Sequence, residues 1–143
     1  MNIKVMKIDG LAKIPTKAHD TDAGFDIYAR IPQGHIELGD WCVIPTGIAI
    51  SVPKGWAMII MGRSGLASKY GMDVLGGVID HGYTGEVKVI LSPANGIRCT
   101  YSISDGDKIA QGILVPVPEA HIEVVETLEE SDRGEKGFGS SGK

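Results

Sequence analysis

No run of apolar residues in this sequence reaches the roughly 18 needed for a membrane-spanning helix. The opening stretch, MNIKVMKIDG, likewise lacks the continuous apolar core of a secretory signal. There is no excess of positive charge: 14 Lys and Arg against 18 Asp and Glu give a formal charge of -4 and a pI near 5.5. The whole protein therefore has no attraction to nucleic acid, and any polyanion has to be held by a local cluster of cations. Cysteine is scarce. Cys42 and Cys99 show neither CxxC nor Cys/His spacing and read as reduced core thiols rather than a disulfide. The four histidines are scattered with no i, i+4 pair, which argues against a protein-held zinc site. These absences lead to the expectation of an intracellular protein, cytoplasmic with the nucleus or a virus-infected host cell as open settings, and with neither membrane nor nucleic acid as partner.

What is present is strand signal. A chain of 143 residues suits one domain with a single core. Short stretches rich in Val and Ile, punctuated by Gly, Pro, Asn or Asp, predict strands at 3–8, 25–30, 41–44, 47–52, 56–61, 86–91, 99–103, 108–115 and 121–125. In EVKVIL, Val87, Val89 and Leu91 share one apolar face while Glu86, Lys88 and Ile90 share the other, as a two-layer sheet needs. Turn chemistry at PKG (53–55), PANG (93–96) and DGD (105–107) recurs at the spacing of an antiparallel sandwich or barrel. One segment argues for helix, with Ser64 as the cap of LASKY and Gly71 as a left-handed stop. The domain is expected to occupy 1–130. Residues 131–143 form a glycine- and serine-rich arm that buries too little apolar surface to order itself, and is either an idle terminus or a tool.

Four polar clusters interrupt the strand pattern. In AHDTDAGFDIYA, Asp26 lies between Phe25 and Ile27 and should point away from them, either as a solvent-facing carboxylate or as a ligand group. In MGRSGLASK, Arg63 precedes a helix opened by Ser64 and Gly65. Unpaired N–H groups, a hydroxyl and a guanidinium make an anion site, or else an ordinary cap beside a surface Arg. In DVLGGVIDHGYTGEVKVIL, a glycine-marked hairpin carries Asp80 and Tyr83. Its backbone can approach a flat ligand closely, and Asp80 sits at the edge of apolar surroundings that strengthen a carboxylate as a base. The fourth cluster, SDGDKIAQG, places Gln111 among Ile109, Ala110 and Ile113, as an exposed strand residue or a ligand holder.

In order, DAGFDIYA at 22–29, GRSGLASK at 62–69, GVIDHGYTGE at 77–86, GDKIAQ at 106–111 and RGEKGFGSSG at 133–142 resemble the five motifs of the homotrimeric dUTPase family. The resemblance spans nearly the whole chain and lies in the order and spacing of the five. It implies an all-β antiparallel jelly-roll barrel with one short helix and a flexible C-terminal arm. It also implies a homotrimer with active sites at subunit interfaces, and hydrolysis of dUTP to dUMP and pyrophosphate with Mg2+. The implied roles are Asp80 as the base that activates water for attack on the α-phosphorus and Tyr83 against the deoxyribose. Gly77, Val78, Ile79 and Lys88 lie around uracil, and Arg63, Ser64, Gly65 and Gln111 form the phosphate cradle. Asp26 holds magnesium through water. In the arm, Phe138 stacks on uracil while Arg133, Gly139, Ser140 and Ser141 grip the γ-phosphate.

Three positions depart from the family pattern: Gly62 replaces a frequent proline, Thr84 an arginine or glutamine, and Lys136 a glycine. Gly62 and Thr84 bear on loop rigidity and hairpin contacts, and none of the three touches Asp80, Tyr83 or Phe138. A dCTP deaminase shares the implied fold but carries a catalytic glutamate on the strand after the hairpin, where this chain reads VKVIL. A non-catalytic jelly-roll module is the reading of a different class, and intact Asp80, Tyr83, Arg133 and Phe138 argue against it.

Overall fold

The computed structural model describes residues 1–93, 101–131 and 134. Ten strands and one helix follow in chain order. They are β1 (Lys4–Lys7), β2 (Phe25–Tyr28), β3 (His35–Leu38), β4 (Cys42–Ser51), β5 (Trp56–Met61), α1 (Ser64–Tyr70), β6 (Met72–Leu75), β7 (Val78–Ile79), β8 (Glu86–Pro93), β9 (Tyr101–Ser104) and β10 (Lys108–Pro116). Eight strands form two four-stranded antiparallel sheets, ordered β1-β4-β8-β6 and β2-β10-β5-β7. β3 and β9 pair as a separate ribbon. Both sheets feed one core: Ile44, Ile48, Ile50, Val87, Val89 and Leu91 from the first sheet meet Ile27, Met58, Ile60 and Ile109 from the second. The alternation in β8 decides its orientation, with Val87, Val89 and Leu91 buried and Lys88 exposed.

The expected strands at 41–44 and 47–52 are one continuous strand. Pro45 and Gly47 read as punctuation, but the pairing of β4 with β8 shifts register between Pro45 and Ala49, and the strand bends through the irregularity. Side chains replace the missing ladder bonds there: Thr46 Oγ1 donates to Val87 O at 2.5 Å, and Gly47 N donates to Glu86 Oε1 at 2.9 Å. β3 and β6 escape the sequence reading because HIEL and MDVL are four residues each with polar members, too short for a periodic signal. The strand expected at 121–125 does not form. This segment is exposed throughout, with Ile122 97% and Val124 94% accessible, and no described strand lies beside it to supply pairing.

In α1, the N-cap position belongs to Arg63 and makes no side-chain cap hydrogen bond. Ser64 is one residue inside the helix, so its hydroxyl is not the cap the sequence predicts and stays at the surface. Gly71 ends the helix at φ 63° and ψ 27°, the left-handed stop expected of it. Cys42 is a free, partly buried thiol packed against the core, whereas Cys99 and most of the PANG turn lie outside the described residues.

Candidate active site

β2, β10 and β5 lie side by side, and their register builds the first half of the site. Gln111 is opposite Asp26 on one side and Met61 on the other, so the three positions line up across the sheet just where β5 runs out into Arg63 and α1. Ile27 is fully buried, so by strand alternation Asp26 faces away from the core, as its sequence position requires. Its carboxylate meets Arg63 Nε at 3.2 Å through Oδ1 and Lys108 Nζ at 2.7 Å through Oδ2. Arg63 Nη1 also donates to the carbonyl of Lys108 at 3.1 Å, and Gln111 Nε2 donates to that of Gly62 at 2.9 Å. These groups, with Asp22, Gly24, Ser64 and Gly65, line a cavity of about 320 Å³. The N–H groups of Ser64 and Gly65 open α1, where an intrahelical acceptor does not exist.

Lys108 was not singled out by the sequence reading. A register shift between Lys108 and Ala110 sets Lys108 opposite Tyr28 rather than Ala29, and therefore on the face that Asp26 shares. The Asp26 hydrogen bond, and then its charge, raise the lysine's pKa above the ordinary 10.5 and keep it an ammonium ion. Gly24 was also missed. A Cβ there would stand 2.8 Å from Gln111 Oε1, so only glycine leaves that amide in place. Neither feature has a local sequence signal, because both arise from cross-strand register.

The cavity pairs two cations, Arg63 and Lys108, with two carboxylates, Asp22 and Asp26. That balance suits a divalent cation carried in by a polyphosphate better than either ion alone. Among the described residues no group of three His, Cys, Asp or Glu side chains is placed to cage a metal. Magnesium takes few protein ligands and keeps waters and phosphate oxygens, so Asp26 acting through water fits this donor set.

The second half of the site is the hairpin. β7 pairs with β5 through Met58 opposite Ile79 and Ile59 opposite Val78, and Ile60 N donates to Gly77 O at 2.7 Å. Gly77 has φ 108° and comes so close to Ile60 that an added Cβ would be 2.6 Å from its carbonyl oxygen. Beyond Ile79 the loop carries Asp80 and Tyr83, and Tyr83 Oη donates to the carbonyl of Glu86 at 2.9 Å. The phenol lies across Gly85, where a Cβ would fall 2.5 Å from its oxygen. A cavity of about 310 Å³ opens here, walled by Val43, Val78, Ile79 and Ile90 and carrying Asp80, Tyr83, Glu86 and Lys88. Apolar walls with a few polar groups are suited to a flat, partly polar ring.

The structure thus gathers Asp26, Arg63, Ser64, Gly65 and Gln111 in one cavity and Val78, Ile79, Asp80, Tyr83 and Lys88 in another, with Gly77 just before β7 bonded to Ile60 of β5. The two cavities share no lining residue. Ile79, the last paired residue before Asp80, is opposite Met58, whereas Gln111 is opposite Met61, and β7 and β10 flank β5 on opposite sides. Three residues along β5 and two strand spacings across it separate the halves, roughly 14 Å. Arg133, Phe138, Gly139, Ser140 and Ser141 lie outside the described residues.

Known proteins resemble this chain in sequence and in fold. The dUTPase family model matches residues 11–142. The chain is 45% identical to the deoxyuridine 5'-triphosphate nucleotidohydrolase of Kluyveromyces lactis, with 99% of this chain and 95% of that protein covered. Among solved structures, the Staphylococcus bacteriophage 80alpha dUTPase with dUPNHPP superposes with a TM-score of 0.87 at 30% identity, covering 99% of each chain. The D95N dUTPase of phage phi11 of S. aureus, described with a structural Mg(II) ion, gives 0.78 at 27% identity, covering 91% of this chain and all of that one. Two sheets of jelly-roll type, a cavity lined by Arg63, Lys108 and the start of α1, a glycine-rich hairpin bearing Asp80 and these matches lead to one conclusion: the chain belongs to the dUTPase family.

Proposed function

We propose that this protein hydrolyses dUTP to dUMP and pyrophosphate with magnesium, as a homotrimer whose active sites form between subunits. The observation that carries the interface is the separation of the two half-sites. A base and a phosphate cradle roughly 14 Å apart across one sheet cannot act on one phosphorus atom, but one subunit's hairpin facing another's cradle can.

In the assembled site, uracil enters beside the backbone of Gly77, Val78 and Ile79 and near Lys88, and the deoxyribose rests on Tyr83. A 2'-hydroxyl would meet that ring, which sets the preference for deoxyribonucleotides. Arg63, Ser64, Gly65 and Gln111 hold the phosphate oxygens. Asp80 takes a proton from water as the water oxygen bonds to the α-phosphorus. The bond from that phosphorus to the bridging oxygen breaks, and its electron pair leaves with pyrophosphate. Asp26 would hold magnesium through water, and its contribution there would be positive charge against the phosphate oxygens. The arm, through Phe138 on the base and Arg133, Gly139, Ser140 and Ser141 at the γ-phosphate, closes the site and excludes bulk water. Such an enzyme limits uracil in DNA and supplies dUMP for thymidylate synthesis, in the cytoplasm. No helix among the described residues is long and apolar enough to cross a membrane.

The test is pyrophosphate release from dUTP, dTTP, dCTP and UTP by the full chain and by Asp80→Asn. The expected result is turnover of dUTP alone, with Asp80→Asn retaining dUTP affinity and losing at least about a hundredfold in kcat. Near-normal turnover by Asp80→Asn removes the base, and ammonia release from dCTP removes the substrate.

A further inference from the structure

Asp80 is the first residue past the end of β7, and its backbone has left the pairing that holds Val78 and Ile79 to β5. Among the described residues no hydrogen bond or ion pair engages its carboxylate, and the side chain is exposed. Packing does not surround it: besides the cavity it shares with Tyr83, Asp80 borders a second one of about 530 Å³ bounded by Lys54, Trp56 and Glu119. The carboxylate's position therefore depends on how its loop is tied down. On the C-terminal side, Tyr83 N donates to Asp80 O at 3.2 Å, a bond internal to the turn that moves with it.

The next residue supplies an external tie. His81 Nδ1 lies 2.8 Å from the carbonyl oxygen of Val52. A carbonyl only accepts, so Nδ1 carries the proton and donates. Val52 is 1% exposed and belongs to the core, immediately after β4. The tight turn that follows, closed by Trp56 N donating to Pro53 O at 3.1 Å, leads directly into β5. The bond thus joins the loop to the junction of both sheets, through an anchor that packing keeps still.

We propose that His81 is a positioning residue for the reaction: its Nδ1–H to Val52 O bond, together with the β7 pairing, clamps the backbone on both sides of Asp80 and fixes the carboxylate where it meets the attacking water. The imidazole borders the cavity of Lys54 and Trp56 and is absent from the lining of the one that carries Tyr83 and Lys88. This inference rests on Asp80 acting as the base. Misplacing a reacting group by about 1 Å costs on the order of a hundredfold in rate, so loss of the clamp should act on kcat, while the uracil contacts of Gly77, Val78 and Ile79, which their pairing to β5 keeps in place, and the separate phosphate contacts leave KM nearly unchanged.

The experiment compares His81→Ala, His81→Asn and His81→Gln in steady-state dUTP hydrolysis, with thermal melts and the oligomeric state of each. An asparagine amide nitrogen takes nearly the place of Nδ1, whereas the glutamine amide lies nearer that of Nε2. Expected are a roughly 10- to 100-fold lower kcat in His81→Ala with KM within about threefold, recovery of most of that loss in His81→Asn, and little recovery in His81→Gln. A kcat near that of the parent in His81→Ala overturns the proposal, as does a loss confined to KM, or equal values for His81→Asn and His81→Gln. Should His81→Ala not fold, the Asn and Gln pair still decides. Retained turnover in Asp80→Asn defeats the base itself, whereas an inactive Asp80→Asn beside an unimpaired His81→Ala defeats the clamp alone.

Discussion

Replacing Gly77 by alanine separates two costs that usually arrive together. At φ 108° an L-residue lies in a region glycine occupies freely, and a Cβ there would also sit 2.6 Å from Ile60 O and 3.2 Å from Ile60 Cβ. The strand cannot retreat easily, because Ile60 is paired on its other side with Gly112 of β10. Gly76 provides the control: its φ is 69°, and an added Cβ meets nothing within 4 Å. For Gly76→Ala only the backbone term applies, about 1 kcal/mol. For Gly77→Ala the backbone term is about 1–2 kcal/mol, and displacement of Ile60 weakens the 2.7 Å bond to Gly77 O, adding about 1 kcal/mol, for a total of about 2–3 kcal/mol. At about 4 °C per kcal/mol for a domain of this size, the melting temperature should drop by about 10 °C in Gly77→Ala and about 4 °C in Gly76→Ala. Circular dichroism melts at one fixed protomer concentration measure both, since association contributes to apparent stability. Equal drops, or a smaller one at Gly77, would show that the approach to Ile60 carries no energy and refute the reasoning.

Gly24→Ala should raise the KM for dUTP about tenfold and leave the fold intact, because its Cβ displaces the Gln111 side chain, amide end first, rather than backbone; an unchanged KM removes Gln111 from the cradle. Leu11 N–H, and then the Arg30 guanidinium, hold Asp9 below its ordinary 3.8, so its contribution to stability is complete above that value and is lost as pH falls through the lower folded one. Asp9→Asn should therefore unfold at lower urea than the parent at neutral pH, with the gap closing in acid below 3.8; a gap independent of pH assigns the effect to packing. Calorimetric titration of the nucleotide-free protein with magnesium should show no saturable heat, and the same titration with a non-hydrolysable dUTP analogue bound should show it, because among the described residues the cradle offers Asp22 and Asp26 but no group of three ligands. Stoichiometric magnesium binding without nucleotide would contradict that reading.

Much of this protein is determined locally. Alternation in EVKVIL decides which face of β8 meets the core, because side chains on a strand alternate and only one set can be buried. Gly71 stops α1 because a left-handed residue is cheapest without a Cβ. The residue types of the cradle and hairpin were legible for the same reason: hydroxyl, guanidinium and glycine beside a helix start carry their chemistry with them. What the tertiary structure decided depends on contacts between distant segments. Pro45 and Gly47 do not break β4, because Val87 and Glu86 on the neighbouring strand supply partners there. The apolar 121–125 segment stays unpaired because propensity alone provides no neighbouring strand. Lys108 reaches Asp26 only because a one-residue register shift turns it to that face, and His81 reaches Val52 across 29 residues of chain. Residue identity sets which chemistry is available, whereas register and close approach set which groups meet, since strand pairing joins positions that sequence separation does not reveal.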